Sequence, residues 1–164
     1  MESRDKKMIV PFVRIGFILS WLTVCFIPKR TVKRFLPAST MSALLVMTTV
    51  FIGTHFNSWE VKGSTKTRIY NILSIILGPF SVGTLWILHL TFGKFRLYLL
   101  INFLQNLLYA FPILAFLDKI NFIKYVKFTR FHHMIAAMSF AIIIYGFQSF
   151  LEKPFSTCLQ FLKK

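Results

Sequence analysis

The chain has 164 residues, of which 55% are hydrophobic and 17% aromatic, and its mean hydropathy is +0.64. A soluble domain of 164 residues could not bury so many apolar side chains in one hydrophobic core. The composition therefore excludes an ordinary soluble domain and favours a chain that lies mostly in lipid. Twenty Lys and Arg against five Asp and Glu give a net charge of +15. Nearly all of these cations lie in short segments between apolar runs, which predicts contact with anionic lipid head groups rather than with nucleic acid.

The first apolar run, residues 8–27, predicts a membrane-spanning helix with one charge in it. Arg14 lies near its start, and a charge at mid-bilayer costs roughly 2.5–3.5 kcal/mol on insertion scales. We therefore expect the guanidinium to extend to the head groups. Without Arg14, the uncharged residues 15–27 are too short to cross a hydrocarbon core of about 30 Å. The alternative is a helix that lies partly in the interface, which leaves four spans.

Residues 28–37 form a basic segment between two prolines, and they predict a loop because the residue before a proline is biased away from helix. Residues 39–59 then predict the second span. In this interpretation the second helix begins after Pro37, and the cations of 28–37 lie outside the bilayer.

Residues 69–92 predict the third span, which contains Gly78-Pro79 near its middle. Pro79 has no N–H to donate to the carbonyl of Ile75, so it predicts a kink. Ser74 and Gly78 are small residues four positions apart, and such a pair permits the close approach of another helix.

Residues 97–117 predict the fourth span, with a second proline at Pro112. Only the four residues 93–96 separate it from the third span. A connection this short predicts that the two helices run antiparallel as a helical hairpin. Both runs are free of Asp, Glu, Lys and Arg and are long enough to cross a bilayer, which needs roughly 20 residues.

Residues 134–151 predict the fifth span, in which Ala137 and Ala141 have the spacing of a helix-packing pair. The segment before it, 122–131, carries Lys124, Lys127 and Arg130 at intervals of three residues. This spacing predicts a short basic helix at the membrane surface. A strand here would need a partner strand, and the sequence offers no clear one.

One face of the fourth span is polar. Asn102, Gln105, Asn106 and Tyr109 follow each other at spacings of three and four, which places all four on one side of a helix. In lipid this side should turn inward. It then either lines a site for a polar solute or joins helices through hydrogen bonds, each worth about 0.6 kcal/mol.

The sequence contains no catalytic signature, and we predict no enzymatic activity, no cofactor and no metal site. All five acids lie outside the predicted spans, and neither paired aspartates nor a Ser–His arrangement is present. A His and carboxylate metal site is the remaining alternative on one side of the membrane, but no metal-ligand spacing supports it. Its candidate ligands are His55, Glu60, Asp118, His132 and His133.

The orientation follows from Lys and Arg in the segments between spans. With five spans, the side that holds the N-terminus carries 10 cations and the other side carries 9. If the first run does not cross, the counts become 13 and 7, with both termini in the cytoplasm. The near-tie means that the orientation depends on the first helix, and we favour five spans with the N-terminus inside.

The run GPFSVGTLWILHLTFGKFRLYLLIN, residues 78–102, resembles a segment of small multi-pass membrane proteins of Gram-positive, spore-forming bacteria. The sequences KRFLP at 33–37 and YGFQ at 145–148 are similar to pieces that flank that segment, so the resemblance extends over most of the chain. That family is itself uncharacterised. The resemblance therefore implies a multi-pass topology and a membrane location, and it transfers no functional residue.

Together these patterns predict an all-α, polytopic transmembrane bundle in which residues 1–164 form a single membrane domain. The lack of catalytic groups favours a non-enzymatic accessory or partner-binding subunit of the cytoplasmic membrane. The alternative is an oligomeric small-solute transporter or channel lined by Asn102, Gln105 and Asn106, because one chain has few helices for a pathway. The expected partners are the lipid bilayer, anionic lipids, and either further copies of this chain or another membrane protein.

Overall fold

The computed structural model describes residues 3–56, 58–60, 65–120, 122, 124–127 and 129–161. This part of the chain consists of helices, two strands of two residues each, and short connections. In chain order the elements are α1 (Ser3–Leu19), a 3₁₀ segment (Ser20–Phe26), α2 (Lys29–His55), β1 (Trp59–Glu60), α3 (Thr65–Ile75), a π turn (Ile76–Phe80), α4 (Ser81–Thr91), α5 (Phe95–Leu108), a second π turn (Tyr109–Ile113), α6 (Leu114–Lys119), β2 (Lys124–Tyr125) and α7 (Arg130–Phe161).

Within the described residues, five helical stretches are long and apolar enough to cross a membrane. In chain order, the first to fifth helices are Ile9–Phe26, Lys29–His55, Lys66–Thr91, Phe95–Lys119 and Arg130–Lys153. Each overlaps one of the five runs that the sequence predicts, which confirms an all-helical fold with five such helices.

The prediction of a loop over 28–37 is wrong, because α2 begins at Lys29 and Pro37 lies inside it. Pro28 occupies the cap position before the helix, where its missing N–H has no cost. Phe35 is 2% exposed and Ala38 is fully buried. The packing of these two side chains against the other helices outweighs the unfavourable backbone effect of Pro37.

Both central prolines produce π turns, so the predicted disturbance at Pro79 takes the form of a one-residue bulge. Ser81 donates its N–H to the carbonyl of Ile76, five residues back, instead of to Leu77. Leu114 likewise donates to Tyr109, again five residues back. The third and fourth helices thus continue through their prolines.

The surface helix predicted over 122–131 is wrong for the residues of that segment that the structure describes, since Lys124–Tyr125 form a strand and α7 begins at Arg130. Lys124–Tyr125 pair antiparallel with Trp59–Glu60, with Trp59 opposite Tyr125. Residues 123 and 128 lie outside the described residues. The carbonyl of Ser58 accepts N–H bonds from Val126 and Lys127 at 3.0 and 3.1 Å. The partner strand comes from the loop after α2, which is distant in sequence, and it joins two inter-helix connections at one end of the molecule.

The first helix packs along the third helix in the same direction. Arg14 contacts Asn71, Phe17 meets Gly78, and Thr23 accepts a hydrogen bond from Trp86 at 3.0 Å. Arg14 was expected to extend to the head groups, but its Nε donates to Oδ1 of Asn71 at 2.6 Å. The structural reason is that Asn71 is almost fully buried and offers an amide acceptor at the same depth.

Candidate functional site

A cavity of about 130 Å³ lies between the second, third, fourth and fifth helices. Its walls are mostly aliphatic and aromatic. Polar side chains enter it from each of these helices: Ser42, Thr49, Thr84, Tyr98, Asn102, Gln105, Asn106, Tyr109 and His133. A mostly apolar cavity with a few convergent polar groups is the usual form of a small-molecule site.

All four residues of the predicted polar face line this cavity. Asn102 donates from Nδ2 to the carbonyl of Tyr98 at 2.8 Å, one turn earlier in its own helix. Asn106 is only 8% exposed. It is the twelfth of the 25 residues of the fourth helix, and therefore lies near the middle of its length.

The hydrogen bonds of this face do not join helices. Within the part of the chain that the structure describes, the amides of Gln105 and Asn106 bond to no other protein group, and that of Asn102 bonds within its own helix. The amide of Gln105 lies against Gly83 of the third helix without a hydrogen bond to it. All three amides line the cavity.

Small residues on two other helices create this space. Ala137 and Ala141 of the fifth helix line the cavity opposite the amide face, and Tyr98 donates its hydroxyl to the carbonyl of Ala141 at 3.0 Å. Gly83 of the third helix admits Gln105, since a Cβ on Gly83 would lie 3.0 Å from Nε2 of the amide. Larger side chains at these positions would fill the cavity or displace the amide.

The two π turns bring aromatic rings to the cavity wall. Phe80 ends the first turn and Tyr109 begins the second, and their ring centroids are 5.6 Å apart. Tyr109 also stacks on His133, at 5.1 Å between centroids and 26° between planes. His133 was not predicted as part of this face because it precedes the predicted fifth span. The observed helix begins earlier, at Arg130.

Among the described residues that line the cavity there is no Asp, Glu, Lys or Arg. Among the described residues, no group of three or more His, Cys, Asp or Glu side chains lies close enough to hold a metal ion. His133 belongs to the cavity rather than to the metal site considered above. The side chain of Glu60, another candidate ligand of that site, is outside the described residues.

A second polar cluster joins α2 to α7 away from the cavity. Arg34 binds both carboxylate oxygens of Glu152, with 2.6 Å between Nε and Oε1. Gln148 is 1% exposed and donates from Nε2 to Glu152 at 2.9 Å and to the carbonyl of Arg34 at 3.2 Å. This cluster fixes the spacing of the two helices at the end opposite the strand pair.

Comparison with known protein families, with curated proteins and with solved structures finds no match for this chain. The resemblance to membrane proteins of spore-forming bacteria therefore stays a prediction.

Proposed function

We propose that this chain is a multi-pass protein of the cytoplasmic membrane that binds a small solute in the cavity between its helices, without catalysing a reaction. The activity that we propose for this site is transport of the solute. In this proposal Asn102, Gln105 and Asn106 line the path that the solute takes. Because four helices of one chain line the cavity, the proposal does not require an oligomer to form the binding site.

The single observation that carries the proposal is Asn106, a residue that is 8% exposed, lines the cavity, and makes no side-chain hydrogen bond to another group of the described structure. A buried polar group left unsatisfied costs about 1–3 kcal/mol, and within a bilayer no bulk water offsets this cost. A solute with hydrogen-bonding groups supplies the missing partner.

The membrane location is supported by the five long apolar helices. Lys29, Arg30 and Lys33 are clustered at the start of the second helix, in the position where cations contact anionic head groups. With five spans, the two sides of the membrane carry nearly equal numbers of Lys and Arg, so charge does not determine the orientation. The accessibility of tags on both termini in intact cells measures it.

Solute access to the cavity is testable by cysteine labelling in native membrane vesicles. In a background in which Cys25 and Cys158 are replaced by Ser, Asn106→Cys is compared with Leu104→Cys. Leu104 lies on the same helix but is 49% exposed on its outer surface. N-ethylmaleimide should label position 106 and not position 104, because a thiol in lipid remains protonated and unreactive. Absence of labelling at position 106 would contradict the proposal.

The second candidate is the accessory or partner-binding subunit. It is favoured by Gly16 and Gly146, which are exposed and would meet nothing within 4 Å if they carried a Cβ. Outward-facing glycines permit a second helix to approach closely in lipid. Gly146→Leu should then abolish co-purification of a partner or dimer in mild detergent, while the labelling of position 106 would be unchanged.

A further inference from the structure

We infer that the solute is an uncharged molecule, about the size of one six-membered ring, that both donates and accepts hydrogen bonds. This inference rests on the proposed function, since it names the chemical class of molecule that the same cavity would hold. It follows from three properties of the lining: its charge, its hydrogen-bonding groups and its size.

The charge of the lining is set by side chains without a formal charge, because none of the described residues that line the cavity is Asp, Glu, Lys or Arg. An ion in this cavity would lose its hydration without gaining a charged partner, and buried ions are stable only when they are paired. The one imidazole, His133, is stacked on Tyr109, and imidazole is largely uncharged at neutral pH. Inorganic ions, phosphates and free carboxylates are therefore poor ligands.

The hydrogen-bonding groups of the lining are mainly amides. Each amide of Gln105 and Asn106 offers two N–H donors and one carbonyl acceptor, and both side chains line the cavity without a hydrogen bond to another described protein group. A hydroxyl, carbonyl or carboxamide on the solute matches this set. A purely apolar solute would leave the amide of Asn106 without a partner, at 8% exposure.

The size of the cavity, about 130 Å³, suits one ring. Engineered apolar cavities of about 150 Å³ bind benzene. The aromatic rings of Phe80, Tyr109 and Phe140 line the same space and provide faces and edges on which a flat solute can stack. A ring bearing one small polar group would place the ring among these side chains and the polar group beside Asn106.

Four isosteric probes separate the contributions of charge and hydrogen bonding: benzamide, benzoate, benzamidinium and isopropylbenzene. Each is measured by equilibrium dialysis against the full-length protein in lipid nanodiscs, with empty nanodiscs as the reference for partitioning into lipid. We expect saturable binding of benzamide, at least tenfold tighter than benzoate and benzamidinium. Asn106→Leu should weaken benzamide about tenfold, by removal of its hydrogen-bonding partner, and leave isopropylbenzene unchanged or tighter. Leu104→Ala, on the outer surface of the same helix, is the control and should change neither.

The results separate two kinds of failure. If position 106 is labelled by N-ethylmaleimide but benzoate or benzamidinium binds as tightly as benzamide, the inferred chemical class is wrong and the solute-binding function stands. If isopropylbenzene binds as tightly as benzamide and Asn106→Leu changes neither, the amides do not recognise the solute, and the inference is again overturned. If position 106 is unlabelled and no probe binds above the empty nanodisc, both the inference and the proposed function fail.

Discussion

Gly78 shows how one missing side chain positions a whole helix. A Cβ at this position would lie 2.5 Å from the carbonyl oxygen of Phe17 and 2.9 Å from its carbonyl carbon. These are backbone atoms of the first helix, so they cannot rotate away as a flexible side chain would. The first helix therefore reaches its observed distance from the third helix only because residue 78 is glycine.

Gly78→Ala is expected to lower the free energy of unfolding by about 1–3 kcal/mol, the usual cost of overpacking. The matched control is Gly146→Ala, whose Cβ meets nothing within 4 Å and which gains helix propensity of up to about 1 kcal/mol. Thermal unfolding in detergent, followed by helical circular dichroism, compares the two variants. Equal melting temperatures of the two variants would show that the backbone of the first helix does not lie in close contact with Gly78 in the detergent-solubilised protein.

Two buried asparagines with different surroundings make a second test at this scale. Asn71 accepts from Arg14 at 2.6 Å and donates to the carbonyl of Phe122 at 3.4 Å, whereas Asn106 has no protein partner in the described structure. We expect Asn71→Leu to destabilise the fold by about 1–3 kcal/mol, because it leaves a guanidinium without its acceptor. Asn106→Leu should be neutral or stabilising, as at sites kept for function. Thermal unfolding in detergent measures the stability of both variants. A large loss of stability in Asn106→Leu would show that the amide of Asn106 has a structural role.

The sequence predicts which residues of the fourth helix share a face, but not what that face meets. Spacings of three and four place Asn102, Gln105 and Asn106 together on any helix. Whether they contact a neighbour or a cavity depends on Ala137 and Gly83, which belong to other helices. The bond between Arg14 and Asn71 spans 57 residues, and local patterns contain no information on such a choice of partner.

At the scale of elements, a π turn leaves one carbonyl without its helical donor, and here another helix provides the replacement. In a regular α-helix Ser81 would donate to Leu77, but across the first π turn it donates to Ile76. The indole Nε1 of Trp21 donates to the free carbonyl of Leu77 at 2.7 Å. The proline in the third helix and the tryptophan in the first are therefore coupled, although each is only a local signal in the sequence.

This coupling predicts a non-additive double mutant. Trp21→Phe alone should cost about 1 kcal/mol, because it leaves the Leu77 carbonyl unpaired. Pro79→Ala restores an N–H at position 79 and permits a regular helix in which Ser81 bonds to Leu77. In that background, the same tryptophan change should cost at least about 0.5 kcal/mol less. Unfolding free energies of the four proteins measure the difference, and additive effects would mean that the π turn persists without the proline.

At the scale of the whole molecule, hydropathy predicts the five helices but not the crossing of the first one. Arg14 shortens its uncharged run, and the charge counts of the two sides are nearly equal, so neither length nor charge decides. The structure adds the contacts between the first and third helices. Along the first helix, Arg14, Phe17 and Thr23 contact successive residues of the third helix, which are Asn71, Gly78 and Trp86. Helices whose contacts advance together run parallel, and the 3₁₀ segment Ser20–Phe26 extends the first helix along its neighbour.

In the proposed membrane arrangement the third helix spans, so a first helix parallel to it should also span and the two termini should lie on opposite sides of the membrane. Epitope tags at each end, probed with an impermeant reagent before and after the cells are opened, measure this directly. The expected result is protection of the N-terminal tag in intact cells and exposure of the C-terminal tag. Asn71→Leu removes the acceptor of Arg14 and should shift a fraction of molecules to N-terminal exposure, since an unpaired guanidinium favours the head groups. Both termini protected in the unmodified protein would mean that the first helix lies in the interface and that only four helices cross.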